Sequence, residues 1–128
     1  MENRELMYLA ENAKQKSYSP YSKFKVGAAL LTKDGKIYVG ANIENSSYPL
    51  TVCAERVAFF KAISEGEKEF EKIAISGSSD NFCFPCGACR QVMSEFCGKD
   101  FVIILEKGKE IKSFTLGELL PYSFKLDK

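Results

Sequence analysis

Cys53, Cys86 and Cys89 constrain this chain more than any other feature. They stand in Cys53-Ala54-Glu55 and, well downstream, in Pro85-Cys86-Gly87-Ala88-Cys89. Three thiolates are one short of a closed tetrahedral zinc site, so a fourth position stays open for water. A fold that uses them must bring two distant segments together. Glu55, two residues after the first cysteine, is placed to move protons for that water. The chain has no histidine. Zinc must therefore take Cys, Asp or Glu ligands, and acid–base work near neutral pH falls to a perturbed carboxylate or to metal-bound water.

The 128 residues fit a single domain, residues 1–128, with a sizeable core. A net charge of +1 gives no electrostatic footprint for a nucleic acid polymer or an anionic membrane. No apolar run approaches the length of a membrane span. The charged start Met1-Glu2-Asn3-Arg4-Glu5 lacks a signal-peptide core, which leads to an expected cytoplasmic location. Five cysteines, an odd number, argue against a disulfide framework. A reducing compartment leaves such thiols free for metal.

The hydrophobic pattern predicts a helix over residues 3–16, with Asn3 as N-cap and Leu6, Leu9, Ala10 and Ala13 on one face. Val26–Thr32 and Ile37–Ile43 read as strands around a Lys33-Asp34-Gly35-Lys36 hairpin. A helix over about 52–64, capped by Thr51, would turn Ala54, Val57, Ala58 and Ile63 to the core. The charged run 67–72 reads as a surface linker, and Ile73–Ser76 as the third strand. A helix over about 86–96 follows, then the apolar strand Phe101–Leu105, a short 111–114 segment and a last helix started by Thr115 and stopped by Pro121. The expected fold is a three-layer α/β/α sandwich on a mixed five-stranded sheet.

Both cysteine segments fall at predicted helix starts, where the helix dipole and free N–H groups lower thiol pKa. Three thiolates and Zn²⁺ nonetheless sum to −1. Arg56 is the residue expected to drain charge from the sulfurs, with Arg90 the other possibility. Two plainer readings stand beside this one. Cys-x-x-Cys alone also serves redox motifs and half zinc fingers. Cys83, in Cys83-Phe-Pro-Cys86, offers a fourth ligand that would close the site and end the catalytic reading. Otherwise Cys83 and Cys97 are expected to be thiols without a role.

At this point the chain resembles the small, homotetrameric branch of the cytidine deaminases. The matching stretches are Ser19-Pro-Tyr-Ser-Lys-Phe-Lys-Val-Gly-Ala-Ala-Leu, Gly40-Ala-Asn-Ile-Glu-Asn, Thr51-Val-Cys-Ala-Glu-Arg, Pro85-Cys-Gly-Ala-Cys-Arg-Gln and Leu119-Leu-Pro-Tyr-Ser-Phe. The resemblance implies one zinc per chain on Cys53, Cys86 and Cys89, with Glu55 as catalytic proton shuttle. It implies Asn42 and Glu44 as holders of ribose hydroxyls, and Phe24 as an aromatic stacked near the base. The backbone around Ala54 would hold the base carbonyl, and Phe124 would reach a neighbouring subunit's pocket. The implied reaction is hydrolysis of cytidine and 2′-deoxycytidine to uridine and 2′-deoxyuridine with release of ammonia, a pyrimidine-salvage step in which activated water attacks C4. The implied assembly is a homotetramer with shared active sites.

Three rivals remain at this stage. A deaminase for another aminopyrimidine, such as a nucleoside antibiotic, is opposed by the Asn42/Glu44 pair. A polynucleotide deaminase predicts a basic groove that a net charge of +1 does not supply. A non-enzymatic zinc module predicts a closed site and indifference to Glu55.

Overall fold

A computed structural model describes residues 1–128. The elements run α1 (Asn3–Ala13), β1 (Val26–Thr32), β2 (Ile37–Ala41), α2 (Ala54–Ser64), β3 (Phe70–Gly77), α3 (Gly87–Phe96), β4 (Val102–Lys107), β5 (Glu110–Thr115) and α4 (Leu116–Leu119). The five strands form one sheet in the order β2-β1-β3-β4-β5. Only β3 and β4 pair in parallel; the other three pairings are antiparallel. That one parallel step needs a crossover, which α3 supplies. No helix is long and apolar enough to cross a membrane.

Alternation along the strands builds two separate cores, because successive side chains point to opposite faces. Ala28, Leu30, Ile73, Ile75, Ile103 and Leu105 face Phe59 of α2, Met93 of α3 and Leu116 of α4. Ala29, Leu31, Ala74 and Ile104 face Leu6, Met7 and Ala10 of α1. The sheet is thus covered by α1 on one side and by α2, α3 and α4 on the other, the α/β sandwich expected from the sequence.

Several boundaries differ from expectation, each for a local reason. Glu2, not Asn3, caps α1 through a capping box with Glu5. β3 starts at Phe70, inside the stretch read as a linker. Phe70 is buried against Phe59, whose ring also meets Phe101, at centroid distances of 5.1 and 5.9 Å. One buried aromatic anchors a strand that its charged neighbours conceal. Val57 and Ile63 of α2 are only half-buried; Phe59 and Ala62 fill the core instead. The last helix is a single turn, opened by a Thr115–Glu118 capping box.

Gly40 fixes where α2 lies on the sheet. A Cβ there would stand 2.5 Å from the Ala54 carbonyl oxygen and 2.7 Å from the Ala58 nitrogen, both backbone atoms that cannot swing aside. Gly40→Ala is therefore expected to lift the start of α2 and to cost ~1–3 kcal/mol, the usual range for overpacking. Urea unfolding of the two proteins measures it; an unchanged midpoint would show that the helix is free to shift.

Candidate active site

The site gathers at one end of the sheet, where β2 and β3 finish and β1 begins. Ala41 pairs with Gly27, and Gly77 pairs with Val26. The chain leaving β2 continues extended, and Ile43 exchanges two backbone hydrogen bonds of 2.9 Å with Val52. Val52 is thereby committed to the bridge, so α2 starts later than Thr51 capping would give. Cys53 is its N-cap. The same holds at α3, where Cys86 is the N-cap. Neither cysteine caps through its side chain, so the free N–H groups of both helix starts remain near the sulfurs.

The Sγ atoms of Cys53, Cys86 and Cys89 lie within 4.8 Å of one another, and Cys83 does not join them. Cys86 and Cys89 are 3.6 Å apart at Sγ. Cys89 is fully buried, Cys53 half-buried and Cys86 exposed. This is an all-sulfur donor set of three, the soft ligand type that suits zinc with one position open. The Cys53 thiol is held down to about 5, first by a hydrogen bond from Cys89 and then by the Arg56 guanidinium. Arg56 Nη2 donates to Cys53 Sγ at 3.3 Å. Its Nε is buried without a partner. Arg90, the other candidate, instead donates from Nη1 to the Leu119 carbonyl at 2.6 Å.

Glu55 sits in the first turn of α2 and is 5% exposed. Burial pushes its carboxyl up to about 7, opposed by a hydrogen bond from its own backbone N–H. A carboxyl poised near neutrality beside the thiol cluster suits proton transfer in both directions. Ala54 is buried at the first position of the same helix.

Asn42 and Glu44 flank the antiparallel Ile43–Val52 bridge, which sets Asn42 across from Cys53 and Glu44 across from Thr51. Asn42 Oδ1 accepts from Val26 N at 2.9 Å and Ser17 Oγ at 2.5 Å, while its Nδ2 donates to the Phe24 carbonyl at 2.9 Å. The buried Glu44 carboxylate accepts from the N–H groups of Tyr21 and Ser22 at 3.0 and 3.2 Å and from the Ser22 hydroxyl. The Ser22 bond is the main reason its pKa is lowered. An amide has two donors and two lone pairs, and a carboxylate about four acceptor sites. The pair thus retains one free N–H and about one free acceptor position. The Ser17, Tyr21 and Ser22 contacts were given no role by the sequence reading, although Pro20-Tyr21-Ser22 lies in a matched stretch.

Phe24 is 37% exposed and lies near Gly77 and Cys83, at the site end of the sheet. Phe124 lies elsewhere. It is 68% exposed and lines a cavity of about 260 Å³ with Ser94 and Cys97. Those residues are at the far end of α3 from Cys86. Eleven residues along a helix span roughly 16 Å.

A family model for the "Cytidine and deoxycytidylate deaminase zinc-binding region" matches residues 1–105. A curated cytidine deaminase from Sporosarcina psychrophila is 47% identical over 125 residues, covering 97% of this chain and 92% of the relative. The crystal structure of cytidine deaminase from Burkholderia pseudomallei superposes with a TM-score of 0.93 at 44% identity, over 97% of this chain and all of that one. A blasticidin-S deaminase from Bacillus cereus is also similar, at 36% identity over 111 residues, covering 80% of this chain and 79% of the relative.

Proposed function

This chain belongs to the cytidine and deoxycytidylate deaminase family, and from that premise we infer how its residues divide the work of the reaction. The enzyme is a hydrolase that converts cytidine to uridine and ammonia. The observation that carries this reading is the meeting of three cysteine thiols with a buried glutamate at one helix start.

Cys53, Cys86 and Cys89 would hold one zinc ion, which when bound supplies an acidified water as the nucleophile at C4. Glu55 accepts a proton from that water and delivers it to ring N3, then takes the proton of the new C4 hydroxyl and passes it to the departing amine, which leaves as ammonia while C4 becomes a carbonyl. Its burial excludes bulk water from this traffic. Arg56 shares the negative charge on Cys53 through its 3.3 Å bond. The backbone at the start of α2, around Ala54, offers free N–H groups to the base carbonyl. Phe24 gives the base an aromatic face.

The free N–H of Asn42 and the free acceptor of Glu44 suit two neighbouring sugar hydroxyls, one accepting and one donating. We place the ribose there. A 2′-deoxyribose keeps its 3′-hydroxyl for the same pair, so 2′-deoxycytidine is the second substrate. Asn42→Ala and Glu44→Ala are each expected to lower kcat/KM for cytidine ~10–100-fold, as an unmatched buried polar partner does. Equal turnover of free cytosine and cytidine by the parent enzyme would refute the sugar contacts. A panel containing blasticidin S separates this reading from its rival.

The assembly that fits is a homotetramer in which each pocket is completed by a neighbour. Phe124 is remote from its own metal ligands, and the tail beyond Pro121 is exposed throughout. Such a segment finds its role on another copy. A mixture of Glu55→Gln and Phe124→Ala chains is expected to recover activity, because some hybrid sites combine an intact Glu55 with a donated Phe124. No recovery after verified subunit exchange would count against donation. The setting we propose is cytoplasmic pyrimidine salvage, with nucleosides as partners rather than polymers or membranes. The deciding test is loss of ultraviolet absorbance on incubation with cytidine, alongside a zinc assay. Fully zinc-loaded protein without turnover would overturn the function.

A further inference from the structure

Gly77 ends β3 with a backbone that does not require glycine, since its φ lies outside the left-handed region. Space requires it instead. A Cβ at this position would stand 2.8 Å from Cys83 Cβ, 2.9 Å from Cys83 Sγ and 3.3 Å from Phe24 Cζ. Close-packed side chains do not interpenetrate this way, so something would have to move. Phe24 and Cys83 therefore share the space that Gly77 leaves.

Cys83 is also beside the chemistry. Its thiol is pushed up to about 11, first by burial and then by the charges of Glu55 and Cys53. A thiol so protonated is a poor nucleophile and a poor ligand. Cys83 stands outside the three-sulfur cluster. What it brings to the site is volume. The sheet end at Gly77, the loop carrying Cys83 and the ring of Phe24 meet at the site end of the sheet, where Asn42 Nδ2 donates to the Phe24 carbonyl at 2.9 Å.

We propose that Gly77, Cys83 and Phe24 form the wall that limits how large a pyrimidine ring the site admits. The proposal rests on the deaminase reading above. Attack takes C4, protonation takes N3, the carbonyl occupies C2 and the sugar N1. Only C5 and C6 are left to carry an added group, so 5-methylcytidine is the probe. The wall residues are specificity-determining, with no part in proton transfer.

The test is the ratio of kcat/KM for 5-methylcytidine to that for cytidine, in variants that retain about one zinc per chain. Cys83→Gly is expected to raise the ratio about tenfold, the lower range for one methyl group in a fitted pocket. Cys83→Val is expected to lower it by a similar factor. Gly77→Ala should lower both values and the 5-methyl value more. Adding Cys83→Gly to Gly77→Ala should return the ratio towards the parent's, a rescue that a purely structural glycine does not give. If Gly77→Ala fails to fold, the two Cys83 variants decide alone. Ratios within about twofold of the parent's in both would overturn the wall, since a pocket contact is worth more than that. A parent enzyme that leaves cytidine untouched overturns the deaminase reading instead, before any variant is compared.

Discussion

Glu55→Gln is expected to keep the fold and the zinc but to lose at least ~10²-fold in turnover, the lower range for general acid–base catalysis. Glutamine matches the volume of glutamate, and the position is 5% exposed, so the packing of α2 is preserved. The amide cannot accept the water proton or hand one to N3. The chain has no histidine to substitute. Among the cysteines, Cys83 is held protonated near Glu55 and so is no base either. Steady-state kinetics with cytidine, paired with a zinc assay and a thermal melt, reads the three quantities separately. Near-normal turnover would sink the mechanism. Loss of zinc would mean that Glu55 supports the metal site rather than moving protons.

Cys89→Ser is expected to strip the metal and, with it, the activity. Cys89 is fully exposed to neither water nor reagent; it is buried, and its Sγ sits within 4.8 Å of both other sulfurs. Loss of a residue that merely supports a ligand costs ~10–100-fold in metal affinity, and loss of a ligand costs more. Cys83→Ser is the contrasting case. Its sulfur is outside the cluster, so the variant should still carry about one zinc per chain. Elemental analysis of the two purified variants decides. Zinc lost from Cys83→Ser but kept by Cys89→Ser would exchange their roles and make the site a different one.

Much of this was legible before the fold was known, and the residues show why. The apolar run Val26–Thr32 and the turn at Asp34-Gly35 specify a hairpin locally, and that hairpin is found. Phe70 shows the opposite case. Glu67, Lys68, Glu69, Glu71 and Lys72 give its surroundings a linker's composition, and only the packing of Phe70 on Phe59, whose ring in turn meets Phe101, makes the segment a strand. The start of α2 went the same way. Thr51 is a good cap by type, but the Ile43–Val52 bridge claims the backbone first, and the helix begins after Cys53.

The sequence by itself determined the thiol type and count of three of the group that could hold a metal, the neighbouring carboxylate and the placing of both cysteine segments at helix starts. These are properties of residue identity and short-range spacing, which survive whatever the chain does at long range. The tertiary structure decided the rest. It chose Arg56 over Arg90 as the sulfur's partner, tied Glu44 to the Tyr21–Ser22 backbone, and set Cys83 against Gly77 and Phe24. Each of these depends on segments far apart in the chain meeting at one end of the sheet. Strand pairing and the approach of α2 over Gly40 fix that meeting, and spacing along the chain does not encode it.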